Sequence, residues 1–268
     1  MDPERTDPSQ QRHPHATLKT TRTLLPFFPP PLVHSPLSPM PLFQRIELET
    51  TCIEPQRAFY TGSLELKLVE SGEGSFAVQC GQTILAFTQV EDTQPRQYHF
   101  AIDIPTNKLE EALQWANARF PIATKPDGTA IYSFESWNAR ALYFLDAERN
   151  ILEFITRGNS GTDSPEPFSV DQILYISELG VVTENVVATA NELKDNLGLP
   201  CFPDSSQEPN PEFQAIGSNA GLFIVVRAGR SWLGGEGTAQ PFPSIATIEN
   251  GQNLALADTF CEIKSARS

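Results

Sequence analysis

The chain has 268 residues, of which 40% are hydrophobic and 19% are charged, and it carries a formal net charge of −14. This length and apolar content are sufficient for one or two folded domains with a buried core. The negative charge argues against nucleic acid or an anionic membrane surface as the main partner, because both attract positive charge. No apolar run approaches the roughly 20 residues that span a bilayer, so we expect a cytoplasmic protein with no membrane partner.

Residues 1–41 differ in composition from the rest of the chain. They hold ten of the 23 prolines, including a run at 29–31, and they show no periodic apolar pattern. Proline fixes φ and removes a backbone donor, so this segment is predicted to be a disordered, extended tail. The alternative is that translation begins at Met40.

From residue 42 onwards, a βαβββ pattern recurs about three times. In the first copy, at 42–91, Ile46 and Leu48 alternate with charged residues, which predicts a half-buried strand. Thr51 and Glu54 have the spacing of a capping box, so a short helix is predicted to follow. Three short strands separated by glycine-containing turns complete this copy.

The second copy, at 96–157, repeats this order. A strand is predicted at 98–104, and apolar residues then recur at helical spacing before three further strands at 130–134, 139–145 and 151–156.

A polar segment at 158–171 is predicted to be a linker, and a third, partial copy occupies 172–250. In this copy a strand at 174–182 precedes a helix, which Gly198 ends. Two strands follow, and a further strand at 242–248 would begin a fourth copy, although no helix follows it. Residues 251–268 form a C-terminal segment.

This repeat resembles the vicinal-oxygen-chelate superfamily, which includes glyoxalase I, bleomycin-resistance proteins and extradiol dioxygenases. The most specific stretches are 98–105 and 143–154. The second is similar to the superfamily's signature aromatic-x-Asp-Pro-x-Gly-Asn-x-x-Glu, with Ala147 in place of the proline and Arg149 in place of the glycine. The resemblance implies an α+β fold in which paired βαβββ modules form mixed curved sheets, enclosing a cavity with the helices outside. The modules at 42–91 and 96–157 are expected to form one such domain.

The resemblance also implies where a metal ion would bind. In this superfamily a divalent metal is typically held by side chains from the first and last strands of each paired unit. His99 and Glu153 match these positions in the second unit, whereas Arg45 and Ala86 fall there in the first unit. The implied site, for Zn, Fe, Ni or Mn, is therefore reduced or absent. Glu178 falls at the His99 position of the third unit, and it is a third ligand if that unit folds across the first pair or across a dimer partner.

Each candidate residue has two interpretations. His99 is a metal ligand and general base, or a buried strand histidine that bonds to backbone. Glu153 is a candidate catalytic base if it faces the cavity, because desolvation would raise its pKa. Arg45 binds a substrate anion or pairs with a glutamate. Trp137 and Arg140 stack a ring and bind a carboxylate, or they belong to a packed hairpin turn.

Three functions remain open at this stage. The first is a small-molecule-binding protein with a reduced or absent metal site. The second is a metal-dependent enzyme, either a glyoxalase-like lyase or isomerase or a ring-cleaving extradiol dioxygenase. The third is a non-catalytic scaffold that acts as a homodimer.

Overall fold

The computed structural model describes residues 42–203, 208–233, 237–249 and 253–266. The predictions made for residues 1–41 lie outside this part of the chain. Among the described residues, no helix has both the length and the apolar character needed to cross a membrane.

The first unit contains four strands and one helix. Ile46 and Leu48 are buried and their charged neighbours are partly exposed, as the alternation predicted. A π-helical turn at Phe59–Ser63 continues the helix. The elements are β1 (Phe43–Thr50), α1 (Ile53–Ala58), β2 (Lys67–Gly72), β3 (Ser75–Cys80) and β4 (Thr83–Gln89).

The second unit has the same order, and its first and last strands are buried along their whole length. Its elements are β5 (His99–Asp103), α2 (Leu109–Asn117), β6 (Tyr132–Phe134), β7 (Ala139–Leu145) and β8 (Ile151–Arg157). The segment 158–169, predicted as a linker, is an irregular connection to the next unit.

The third unit is a complete copy, and its helix ends at Gly198, which has a φ of 65° as a left-handed cap requires. Its elements are β9 (Tyr175–Thr183), α3 (Val186–Leu197), β10 (Cys201–Phe202), β11 (Phe213–Ser218) and β12 (Gly221–Arg227). Three strands follow it, namely β13 (Ser244–Glu249), β14 (Leu254–Ala255) and β15 (Cys261–Ala266).

The strands form two mixed sheets, which confirms the predicted fold class. One sheet has eight strands in the order β10-β11-β12-β9-β5-β8-β7-β6. The other has seven strands in the order β14-β15-β13-β1-β4-β3-β2. Each complete unit contributes a parallel pair made of its first and last strands, and these pairs lie at the centre of the sheets.

The units pair in a different order from the one that the sequence predicted. The second unit joins the third through β5 and β9, and the first unit joins the C-terminal strands through β1 and β13. The first and second units therefore do not share a sheet. The first strand of every unit has one edge free to pair with a strand of another unit. The sequence repeat therefore shows where the units are, but it does not show which units pair.

The helices and both sheets share the main core. Phe43 of β1 meets Phe223 of β12 edge to face, with ring centroids 5.1 Å apart, so the two sheets are in direct contact. A smaller apolar cluster covers the other face of the eight-stranded sheet and includes Tyr143, Ile224 and Trp232.

The turn between β7 and β8 connects the two sheets. Arg149 adopts a φ of 71° where the superfamily signature has glycine, a conformation that costs on the order of 1 kcal/mol. The backbone amides of Glu148 and Asn150 both donate to the Asp146 carboxylate. The Glu148 carboxylate accepts from the backbone and hydroxyl of Thr51, so Thr51 anchors this turn and does not cap α1 as predicted.

Candidate metal centre

His99 is the first residue of β5, and its imidazole is held in one tautomer. Its Nδ1 lies 3.0 Å from the carbonyl oxygen of Ile151, the residue paired with it on β8. A carbonyl can only accept, so Nδ1 carries the proton and Nε2 presents a free lone pair. Burial lowers the pKa of His99, which favours the neutral form that a metal ligand requires.

Glu153 lies in the middle of β8 on the same face. Its carboxylate Oε2 is 3.8 Å from His99 Nε2, and both side chains are buried. Tyr143, its cross-strand neighbour on β7, donates a hydrogen bond from its hydroxyl to this carboxylate. Burial, and then the nearby charge of Glu178, raise the pKa of Glu153 well above its ordinary value.

Glu178 enters the site from β9 because β9 lies beside β5, where Ala101 is opposite Glu178. Arg157 Nη2 donates to Glu178 Oε1 at 2.5 Å, and Arg157 Nε lies 3.4 Å from Asp103 Oδ1. The Arg157 side chain is completely buried. Burial raises the pKa of Asp103 to about 6, although the guanidinium opposes this shift.

His99, Glu153 and Glu178 together have the composition of a metal site. One ligand atom from each lies within 4.8 Å of the others. With a neutral imidazole and ionised carboxylates, the buried cluster of Asp103, Glu153, Glu178 and Arg157 carries two unbalanced negative charges. A dication would neutralise this excess, so the residues present fit a divalent metal ion.

The position on β12 that corresponds to Glu153 on β8 is apolar. Ile224 of β12 lies opposite Gly180 of β9 and lines the same cavity as the three ligands. A Cβ atom on Gly180 would lie 3.0 Å from the Trp232 ring and 3.3 Å from His99 Cβ. The missing side chain therefore allows Trp232 to pack against His99, with ring centroids 5.0 Å apart.

The three candidate ligands lie in the wall of a cavity of about 280 Å³. Most of its lining is aromatic or aliphatic, and the described lining residues include one cation, Arg230. Such a cavity suits a small organic molecule with an apolar body and a polar end. The aromatic residues that line it are Phe134, Trp137, Tyr143, Phe213 and Trp232.

The structure brings together some of the predicted site residues and separates others. His99, Glu153 and Glu178 converge, and Trp137 lies in the wall of the same cavity. Arg45 lies in the seven-stranded sheet, where its guanidinium forms two hydrogen bonds with Glu70.

Arg140 pairs with Glu110 of α2 through an exposed side chain and does not line the cavity. Trp137 packs edge to face on Phe202, with centroids 5.0 Å apart.

Sequence reasoning missed several residues of this cavity. The sequence named Tyr143 only as part of the signature stretch at 143–154 and gave it no role. Its position opposite Glu153 follows from the register of the β7–β8 hairpin. Arg230 and Trp232 come from an irregular segment after β12 that shows no periodic pattern. Phe213 belongs to the third unit, and the sequence left open whether that unit pairs within the chain or with a second chain.

Comparison with solved structures identifies a fold, whereas comparison of sequences assigns no family. No protein-family profile and no curated protein matches the chain. Among solved structures, a protein assigned as a dioxygenase from Bacillus subtilis has a TM-score of 0.52 and 15% identity, covering 78% of this chain and 71% of that chain.

Two further structures are similar at lower scores. A variant of glyoxalase I from Zea mays has a TM-score of 0.46 and 12% identity, over 77% of this chain and 74% of that chain. A variant of a fosfomycin resistance protein from Listeria monocytogenes, solved with Mn(II) and dihydroxypropylphosphonic acid, has a TM-score of 0.35 and 16% identity, over 45% and 93% of the two chains.

The identities are too low to transfer an activity, so these likenesses concern architecture only. The B. subtilis structure covers most of this chain, and both sheets show the repeated unit that the sequence predicted. The chain has the paired βαβββ fold of the vicinal-oxygen-chelate superfamily.

Proposed function

We propose that this chain is a divalent-metal-dependent enzyme that catalyses a proton transfer, of isomerase or lyase type, on a small organic molecule. The observation that carries the proposal is the convergence of His99, Glu153 and Glu178 within 4.8 Å in the wall of an aromatic cavity. A reduced site was predicted because Arg45 and Ala86 were assigned to it. Because Glu178 takes the position that was assigned to Arg45, three protein ligands are available.

The ligand set favours certain metals and one class of reaction. One imidazole and two carboxylates suit Mn²⁺, Zn²⁺, Fe²⁺ or Ni²⁺, and three protein ligands leave coordination positions for a substrate. A ring-cleaving dioxygenase of the non-haem iron type uses two histidines and one carboxylate, and His99 is the only histidine outside residues 1–41. Proton transfer is therefore better supported than ring cleavage.

The protein's own groups are suited to moving a proton. A bound divalent cation would supply Lewis-acid polarisation of substrate oxygens. Glu153 is the candidate base, because burial raises the pKa of its carboxylate well above its ordinary value and so increases its affinity for a proton. Tyr143 fixes the orientation of that carboxylate. The aromatic walls provide an apolar surface for the apolar part of the substrate.

Metal analysis of protein purified without an affinity tag tests the proposal. We expect one divalent ion per chain by elemental analysis and by titration calorimetry after treatment with chelator. His99→Ala and Glu178→Gln should lose it, and Glu153→Gln should weaken it strongly. Glu70→Gln is the matched control, because this glutamate pairs with Arg45 in the other sheet and should leave metal content unchanged.

Other outcomes would favour the remaining functions. A metal-free wild type that stays folded and binds organic ligands would contradict the enzyme proposal and favour a plain binding protein. A chain whose thermal stability responds to neither metal nor ligand would favour a scaffold. The homodimer and the cytoplasmic location stay predictions.

A further inference from the structure

Arg230 places a positive charge at the wall of the candidate metal cavity. It follows β12 and lines the cavity together with Glu153 and Glu178. Its guanidinium carbon lies 5.3 Å from the centroid of the Phe213 ring, which is also part of the wall. This cation–π contact holds the guanidinium against the cavity while leaving its N–H groups available.

The backbone around Arg230 fixes its position. The carbonyl of Arg230 accepts from Ala239 N at 2.7 Å, and its amide donates to the Arg227 carbonyl at 3.2 Å. Gly229 N donates to the Ala239 carbonyl at 2.8 Å, and Ser231 forms a bridge with Thr238. The guanidinium is thus attached to an ordered backbone segment.

Arg230 also differs from other arginines in its charge environment. Arg45, Arg140 and Arg227 each form an ion pair with a glutamate. Arg230 has no such carboxylate partner in the part of the chain that the structure describes, although the protein is strongly acidic. A guanidinium held against an aromatic wall, without a protein anion, is suited to binding the anion of a ligand.

Arg230 also lies close to the candidate metal ligands. It lines the same cavity of about 280 Å³ as His99, Glu153 and Glu178. One small molecule in this cavity can therefore contact Arg230 at one end and the candidate ligands at the other.

We propose that Arg230 is the specificity-determining residue of this cavity and that it binds the carboxylate of an aromatic acid. The inference rests on the proposed function, in which the oxygens at the opposite end of the substrate face the metal ligands. Trp137, Phe213 and Trp232 supply the apolar walls for the ring. A cavity of about 280 Å³ lies just below the usual range for drug-sized ligands, which favours a single-ring molecule.

A matched pair of ligands tests this proposal. The probes are 3,4-dihydroxybenzoate and its neutral amide, titrated by calorimetry into the full chain, both loaded with Mn²⁺ and treated with chelator. We expect the acid to bind Mn²⁺-loaded wild type about tenfold or more tightly than the amide, because a charge-assisted hydrogen bond to guanidinium is lost in the amide.

Three variants separate specificity from structure. Arg230→Met should abolish the preference for the acid, because it weakens binding of the acid far more than binding of the amide, and Arg230→Lys should retain part of the preference. Arg227→Met is the control, because Arg227 lies three positions earlier and pairs with Glu212 at the surface. It should bind both compounds as wild type does.

The outcomes distinguish the two proposals. Equal affinity of wild type for acid and amide, binding of neither compound, or a preference that survives in Arg230→Met would overturn the role of Arg230. Metal content is measured on the same samples. A preference that depends on Arg230 in a chain that binds no metal would support Arg230 and overturn the metal-dependent function.

Discussion

Both sheets are built from the same βαβββ unit, yet they differ in how deeply their charged side chains are buried. In the eight-stranded sheet, Arg157 and Glu178 form an ion pair whose side chains are 0% and 4% exposed. In the seven-stranded sheet, Arg45 and Glu70 form an ion pair whose side chains are 25% and 55% exposed. Similar charged groups thus form a buried cluster in one sheet and a surface pair in the other.

The difference shows how a repeated fold can place its buried ionisable side chains in one of its two sheets. β5, β8 and β9 are buried almost throughout, so every charge on them must be paired, neutralised or bound to an ion. β1 alternates between buried and partly exposed positions, so its charges remain solvated. Ala86 in β4 takes the place that Glu153 has in β8, and it provides no ligand.

The largest expected effect comes from breaking the two arginine pairs. Arg157→Met should destabilise the chain by about 3–5 kcal/mol, because it leaves buried carboxylates without their cation. Arg45→Met should cost about 1 kcal/mol or less, because its pair is exposed and screened. Urea unfolding followed by tryptophan fluorescence measures both. Equal losses for the two variants would contradict the contrast between the sheets.

The contributions of Asp103 and Glu70, one from each sheet, to the free energy of unfolding should change with pH in opposite directions. Burial raises the pKa of Asp103 to about 6 from 3.8, so the stability it contributes is complete below 3.8 and is lost as pH rises through about 6. The hydrogen bond from Arg45 lowers the pKa of Glu70, so its contribution is present above its ordinary pKa and is lost as pH falls.

Unfolding of chelator-treated protein between about pH 3 and about pH 7 measures this difference. Relative to wild type, Asp103→Asn should gain stability as pH rises through this range, by at most roughly 3 kcal/mol. Glu70→Gln should lose stability relative to wild type as pH rises towards the ordinary glutamate pKa of 4.5, and should run parallel to wild type above it. Parallel pH profiles for the two variants would be inconsistent with the burial of Asp103.

Metal binding should stabilise the chain through the eight-stranded sheet alone. A divalent ion at about 100 times its Kd should add about 2.7 kcal/mol to the free energy of unfolding. Glu178→Gln should remove this gain, and Glu70→Gln should keep it. Thermal unfolding with and without added Mn²⁺ provides the measurement, and stabilisation of Glu178→Gln equal to that of wild type would place the ion elsewhere.

The smallest expected effect concerns the close contact at Gly180. Gly180→Ala should cost about 1–2 kcal/mol, because the new methyl group crowds Trp232 and His99. It should also change the tryptophan fluorescence of the folded protein. Gly62→Ala is the matched control in the first unit, where a Cβ meets nothing within 4 Å. An unchanged spectrum and stability for Gly180→Ala would show that this contact is loose.

Local patterns predicted most of the secondary structure because each complete unit carries its own periodicity. The strand predicted at 139–145 and the helix predicted to end at Gly198 both occur in the structure. β15 was missed, since only Cys261 and Ile263 mark its buried face. The order in which units pair could not be predicted, because it depends on contacts between segments far apart in sequence.

The site was predictable to the extent that it follows strand geometry. His99 and Glu153 were expected to face one hollow, and their side chains lie 3.8 Å apart. Glu178 was expected there only on condition that the third unit pairs suitably, and that condition is met within the chain. Arg230 and Trp232 lie in an irregular segment whose path is set by tertiary contacts, so no sequence period indicates them.

The position of a bound metal tests the central claim most directly. Crystals soaked with Mn²⁺ and measured near its absorption edge should show one anomalous peak between His99 Nε2 and the carboxylates of Glu153 and Glu178, at about 2.0–2.3 Å from each ligand atom. Crystals of Glu178→Gln, soaked in the same way, should show that peak strongly reduced or lost. A wild-type peak elsewhere, or a full peak in the variant, would contradict the account.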